Sequence, residues 1–323
     1  PCLDWTRFAW MGRVGFWIQT LTFVLVLRKR VTELKPAIVY SRELYALIWD
    51  WLGVRRVWES HSLYGSWIAH SVLRTIDFVV TLTQESAKRL RVLGVPAERI
   101  LVEPDAVDPK LFENMPTREE ARQVLDISPD EWLCLYVGKF TTMGAPKGLE
   151  ESITAVCALR KEGRRIRLLA VGGTKQELFK YAPLQEDGIQ LFGHQPQTSL
   201  KRFYAAGDAV LTPFPYTQHY AFFMSPLKIF EYLMSGLPIV TSDLPSIREI
   251  VTEKEAFFVE PGSVSSLQTT LIHVMDHPED ARERSKHSHA LAEKYTWFER
   301  AKRIIETALQ RTSLDVPFKS LRK

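Results

Sequence analysis

The chain has 323 residues, 46% of them hydrophobic and 25% charged, with a formal net charge of +4. That length holds about two ordinary domains, and so average a composition excludes disordered, collagen-like and low-complexity classes. The mild basic excess permits contact with an anionic lipid or substrate; with no dense Lys/Arg run and no RNA-binding signature, nucleic acid is not the expected partner.

The chain opens on Pro1 rather than Met, without a signal-peptide pattern, so its natural start is expected to lie upstream. Cys2, Cys134 and Cys157 are odd in number, scattered and outside metal-ligand spacing, which fits a reduced, cytosolic compartment. Val14 to Leu27 is an apolar run flanked by Arg13 and by Arg28, Lys29 and Arg30. It is shorter than the roughly 20 residues of a membrane span. A buried or membrane-facing helix is one reading, and a span over 8–27 with Arg13 inside it is the other. Lys35-Pro36 breaks this helix. Ala37 to Tyr40 reads as a strand, Arg42 to Leu52 as a helix, and Arg56 to Glu59 as a strand that leads into Ser60-His61-Ser62. Trp67 to Arg74 is expected to be helical, Phe78 to Leu82 a strand, and Gln84 to Leu93 a helix closed by Gly94. Ile100 to Val102 is a strand, and prolines at 104, 109 and 116 mark a hinge.

A second α/β series follows. Trp132 to Val137 reads as a strand, 138–148 as a polar, Gly-rich loop, and Leu149 to Lys161 as a helix. Arg167 to Val171 and Gln190 to Phe192 are strands ending in glycine. Thr198 is expected to cap a helix stopped by Gly207. Ala209 to Thr212 is a strand. A strong helix is expected to start at Ser225 and stop at Gly236. Pro238 to Thr241 is a strand, Ser246 to Val251 a short helix, and 257–259 the last strand. Helices over Ser265 to Asp276, Ala281 to Tyr295 and Trp297 to Gln310 close the chain. Such alternation predicts parallel sheets with helices on both faces. In such sheets a ligand sits beyond the carboxyl ends of the strands, where the Gly and Pro residues at 138, 172, 173, 193 and 213 fall.

The richest stretch is Ser225 to Tyr232. Ser225 suits an N-cap and Pro226 the first helical position. The free amides and dipole at such a helix start favour a phosphate, and Lys228 in the first turn adds a full charge. Glu231 shares that face and suits the two hydroxyls of a ribose. An ordinary surface Lys–Glu pair is the equal alternative on local chemistry alone. Lys139 and Lys147, at the two ends of the Gly-rich loop, suit a diphosphate, although solvated loop lysines are common and GxxxxGK[ST] is absent. His61 at a strand end is either structural or a donor facing a cleft. No Asp-x-Asp, HExxH, metal-spaced Cys/His cluster, GxGxxG or nucleophile elbow is present, so no metal site is expected.

Ser225 to Val251 resembles the donor-site signature of glycosyltransferase family 4, of the GT-B fold. In order along the chain, 59–61, 104–112, 137–140 with 147–148, 170–173 and 295–301 resemble that family's remaining landmarks. The resemblance implies two Rossmann-like, doubly wound parallel-sheet domains facing a cleft. Residues 1–107 would form an acceptor-side domain incomplete at its start, 108–295 a nucleotide-sugar donor domain, and 296–323 a tail helix crossing back to the first domain. It implies that Glu231 holds the ribose, that Lys228 faces the donor phosphates, that Lys139 and Lys147 grip the diphosphate, and that His61 meets the donor sugar. Gly138, Gly172, Gly173, Phe223, Met224, Ser225, Pro226 and Leu227 would line the donor site. Phe223 stands where the family's motif has its first Glu, so the sugar contact must differ, and backbone amides of 222–225 are the substitutes.

The implied function is retaining, metal-independent transfer from a nucleoside-diphosphate sugar to an acceptor hydroxyl of a glycan or lipid-linked chain. The nucleotide sugar is a co-substrate, and no cofactor is implied. The setting would be cytoplasmic, at the inner face of the membrane with peripheral contact. A sugar-nucleotide 2-epimerase of the same fold and a non-catalytic binding protein are the alternatives.

Overall fold

β2 (Arg55–Ser60) sends Val57 to one side of a sheet and Trp58 to the other, and both side chains are fully buried. A strand with both faces apolar needs cover on both, and the chain supplies it twice. The computed structural model describes residues 12–51, 53–61, 67–142 and 144–310. It divides into two units, Pro1–Pro104 with Ala301–Lys323, and Asp105–Arg300.

The first unit carries a four-stranded parallel sheet in the order β1 (Ile38–Ser41), β2, β3 (Phe78–Thr81), β4 (Ile100–Val102). Trp58 and Val79 pack with Val31, Leu44, Leu47, Val72, Leu73 and Leu90, which come from α1 (Gly12–Leu34), a short 3-10 turn, α2 (Trp67–Thr75) and α3 (Gln84–Val92). On the other face Val57, Phe78 and Val80 meet Ile304 and Ala308 of α13 (Trp297–Gln310). Arg55 donates 2.7 Å to the carbonyl of Ala308, and Arg303 forms a two-pronged ion pair with Glu103 at 2.9 Å on both arms.

The helix expected over Arg42 to Leu52 shrinks to a 3-10 turn, Leu44–Leu47. The buried guanidinium of Arg56 takes the carbonyls of Leu47 and Trp49, at 3.4 and 3.3 Å, of which a helix over 42–52 would have used that of Leu47. α1 is longer than its apolar run and leaves Val14, Trp17, Leu21 and Leu25 exposed along one stripe. No helix among the described residues is long and apolar enough to cross a membrane, and residues 8–11 of the alternative span lie outside them.

The second unit is a six-stranded parallel sheet: β12 (Ala256–Val259), β11 (Ile239–Ser242), β10 (Ala209–Thr212), β5 (Trp132–Val137), β8 (Ile166–Gly173), β9 (Ile189–Gly193). Counted along the chain this is the 6-5-4-1-2-3 order of a doubly wound sheet. Successive connections run outward from β5 and then, after β9, return to its other side. The crevice where the direction reverses lies between the ends of β5 and β10. Large apolar clusters cover both faces, one around Phe230 and Tyr232, the other around Tyr136 and Phe140.

The boundary between the units falls at 104/105 rather than 107/108. Val107 donates to the carbonyl of Tyr295 and accepts from the amide of Trp297, which ties it to the second unit. Helices α4 (Arg118–Val124) and α6 (Lys175–Tyr181) were not expected from periodicity. Both open on a capping box, Thr117 with Glu120 and Thr174 with Glu177, a pattern that is legible in the sequence. Thr198 does not cap its helix. α7 (Gln197–Ala206) has its cap position two residues earlier, at Pro196, without a side-chain hydrogen bond.

Candidate functional site

β5 runs into Gly138, whose φ of +119° is a conformation that other residues rarely adopt. A Cβ there would sit in ordinary contact with Cε of Lys228, at 3.4 Å, so it is the backbone conformation rather than space that calls for glycine beside that lysine. Across the switch point, the 138–148 loop presses on the end of β10. A Cβ on Gly148 would lie 1.8 Å from the carbonyl oxygen of Pro213. The loop carries a small antiparallel hairpin of β6 (Thr141–Thr142) and β7 (Ala145–Pro146). Thr141 donates 2.6 Å to the Glu177 carboxylate, and Tyr220 donates 3.3 Å to the carbonyl of Ala145. The loop is thus held at several points around the lysines it bears.

Lys228 lies on α9 (Leu227–Ser235) and is 7% exposed. Its Nζ stands 3.8 Å above the centre of the Tyr136 ring and 5.3 Å from that of Phe214. Among the described residues it has no hydrogen-bond partner. Burial holds the Lys228 ammonium well below its ordinary pKa, and the charge of Lys147 pushes the same way; Glu231 opposes. Lys147 is lowered by burial and by Lys139. Glu231 is raised by burial, against a 3.0 Å hydrogen bond from Tyr204 and the pull of Lys228. His219, which sequence reasoning passed over, is lowered by burial and by Lys147.

α9 opens without a side-chain cap. Ile229 donates to the carbonyl of Pro226, while among the described residues the amides of Leu227 and Lys228 have no backbone acceptor. Ser225 is not the N-cap: its hydroxyl accepts from the amide of Asp105 at 2.8 Å, and Pro226 takes the cap position. The helix is instead aligned by Tyr232, whose buried hydroxyl accepts from the amide of Val137 at 2.9 Å and reaches the carbonyl of Leu211 at 3.2 Å. One side chain thereby pins α9 to β5 and β10 at the switch point. An unfilled helix start and an unpartnered buried ammonium beside a second lysine together make a site for a multiply charged anion.

The structure brings Lys139, Lys147, Lys228 and Glu231 together, with Gly138 and Gly172 against one another: a Cβ on Gly172 would lie 2.7 Å from the carbonyl oxygen of Gly138. Gly173 abuts the ring of Phe140. Met224 turns its side chain into the apolar core, and Leu227 is half exposed. The amide of Phe223 donates to His219, so it drops out as a substitute for the missing motif Glu. His61 belongs to the first unit. Its Nε2 lies 2.6 Å from the buried carboxylate of Glu59, which also accepts from Arg42 at 3.1 Å. Among the described residues no three of His, Cys, Asp and Glu are grouped as metal ligands.

The family model described as glycosyl transferases group 1 matches residues 131–277. In sequence the chain is similar to the amylovoran biosynthesis glycosyltransferase AmsK of Erwinia amylovora, 28% identical over 189 residues, 57% of this chain and 44% of that one. The chain spans about half the length of the curated relatives it matches. In fold it is similar to sucrose-phosphate synthase from Thermosynechococcus elongatus, with a TM-score of 0.71 at 18% identity, covering 93% of this chain and 79% of that one. Anabaena HepE, solved in complex with UDP and glucose, matches with a TM-score of 0.66 at 17% identity, covering 92% and 83% of the two chains. These neighbours have the GT-B fold.

Proposed function

We propose, from the match of residues 131–277 to the family model described as glycosyl transferases group 1, that this chain moves a sugar from a nucleoside-diphosphate donor to an acceptor hydroxyl. The product would be a cell-envelope polysaccharide, lipid-linked glycan or glycolipid. The observation that carries this reading is the buried Lys228 ammonium, unpartnered at the switch point beside Lys147 and an uncapped helix start. The names of two similar proteins support it, one an amylovoran biosynthesis enzyme and the other holding UDP and glucose.

In this reading the diphosphate lies against Lys139, Lys147, Lys228 and the first amides of α9. As the bond from the anomeric carbon to the β-phosphate oxygen breaks, negative charge collects on that phosphate, and in this reading the ammonium groups of Lys139, Lys147 and Lys228 stabilise it. Interactions that strengthen as charge develops lower the barrier. The acceptor oxygen bonds to the anomeric carbon on the face the phosphate leaves, and its proton passes to the leaving phosphate. The configuration is retained and no metal is required.

The test is release of nucleoside diphosphate from UDP- and GDP-sugars, with and without glycan acceptors, in excess EDTA. Acceptor-dependent release that survives EDTA is expected. Loss in EDTA, restored by a divalent ion, would overturn the metal-free scheme. Free sugar without an acceptor would favour the epimerase, and nucleotide binding without turnover the binding protein. Glu231 is assigned to the ribose. Glu231→Ala should weaken UDP or GDP binding by about tenfold or more, the worth of a hydrogen bond to a charged group. Unchanged affinity by calorimetry would remove Glu231 from the site.

A further inference from the structure

Tyr136 is fully buried on β5, one residue before the strand's end, and it touches every lysine of the site. Its ring is the floor under Lys228, 3.8 Å from Nζ. Its hydroxyl lies 3.3 Å from the carbonyl of Lys139 and 3.3 Å from that of Lys147, the two ends of the 138–148 loop. A phenol has one proton to donate, so the hydroxyl shares it between the two carbonyls and holds the loop's ends at one point. The ring edge is fixed in turn by Phe140, at a centroid distance of 5.9 Å, and Phe140 by Tyr181 at the same distance. Burial pushes the Tyr136 hydroxyl well above its usual pKa, so it remains a donor at any working pH.

Lys139 and Lys147 share a loop and Lys228 comes from a distant helix, yet all three must face one diphosphate. Lysine stems are flexible, and a misplacement of about 1 Å is costly in a preorganised site. We infer that Tyr136 is a positioning residue for transfer: it ties the backbone at Lys139 and Lys147 to the ring on which Lys228 rests, so that the three lysines meet charge as it develops on the leaving phosphate. This inference rests on the proposed function and adds to it a residue that does not touch the donor.

The experiment compares Tyr136→Phe with the unaltered chain, using whichever UDP- or GDP-sugar supports nucleoside diphosphate release. Phenylalanine keeps the ring under Lys228 and the core volume and removes only the shared proton. Turnover should fall about tenfold, the rate factor of one hydrogen bond, while the donor's apparent KM stays close to that of the unaltered chain and the melting temperature drops by no more than the few degrees that one hydrogen bond is worth. Tyr136→Leu removes the floor as well. It should lower turnover further, and it should also move the loss of UDP binding to lower pH, because the ring no longer favours the charged ammonium above it. Unaltered turnover in Tyr136→Phe would overturn the inference. So would a fall in turnover matched by a larger fall in melting temperature and a rise in KM, which marks a general packing role. If the unaltered chain releases no nucleoside diphosphate from any donor, it is the proposed function that fails. The inference would then fail with it unless Tyr136→Leu still shifts the pH dependence of UDP binding.

Discussion

Replacing Lys228 by methionine is expected to give a protein that is more stable and nearly inactive. The ammonium is 7% exposed and has no hydrogen-bond partner among the described residues. Burying a polar group without a partner costs about 1–3 kcal/mol on the scale of protein mutations, and the cost rises if the group is charged. The Tyr136 ring below it returns up to about 2 kcal/mol of cation–π attraction, and Lys147 adds repulsion. Methionine fills much the same volume with no charge, so a gain of about 1–3 kcal/mol in unfolding free energy should appear in urea titrations. Turnover should fall about 10²- to 10³-fold, as when one preorganised donor to a developing charge is removed. The donor's apparent KM should change less, because the charge is larger in the transition state than in the ground state. Lys147→Ala should act in the same direction, and the double variant should lose less than the sum of the singles, since both groups face one charge. A stability loss in Lys228→Met would mean that the ammonium has a compensating partner. Undiminished turnover would place the site elsewhere.

The second large effect is a proton. Lys228 has a pKa well below 10.5 in the folded chain because of burial and then Lys147, and Lys147 is lowered by burial and then Lys139. The sign follows for folding first. The unfolded state holds more protons than the native state between the depressed value and 10.5, so stability rises with pH through that window and the contribution is unfavourable below it. Ligand binding has the opposite sign. A diphosphate against Nζ favours the charged form and raises the pKa again, so binding takes up a proton wherever pH exceeds the free chain's depressed value. In that range affinity should fall by up to about tenfold per pH unit. The other groups facing the pair are Lys139 and Glu177 beside Lys147, Glu231 on α9, Tyr136 on β5 and His219 on α8 (Gln218–Phe222); Glu177 favours the charged form of Lys147, Glu231 is raised by burial and His219 lowered. Calorimetry of UDP or GDP binding in two buffers of different ionisation heat counts the protons. Uptake that disappears in Lys228→Met is expected; equal heats in both buffers for the unaltered chain would show that Lys228 is already charged.

The sequence by itself determined much of this protein. Alternating apolar strands and helices specify parallel sheets covered by helices on both faces, because each strand and each helix must bury an apolar side; the doubly wound strand order was implied only by the resemblance of Ser225 to Val251 to a known family. β10 and the helix over Leu149 to Lys161 follow from pattern alone, as does the stop of α9 at Gly236, whose φ is +68°. Helices α4 and α6 were equally legible from their capping boxes, although their apolar periodicity is too short to announce them. What the tertiary structure decided are interactions between segments far apart in sequence. Arg56 removed the helix expected over Arg42 to Leu52 by taking the carbonyl of Leu47. Asp105 drew Ser225 away from the cap of α9, leaving that helix start open. A lysine in a first turn reads the same whether solvated or buried. Only the strand order, which brings the ends of β5 and β10 together, puts Lys228 over Tyr136 and out of water. Burial and charge proximity set a group's pKa, and neither is a local property of the chain.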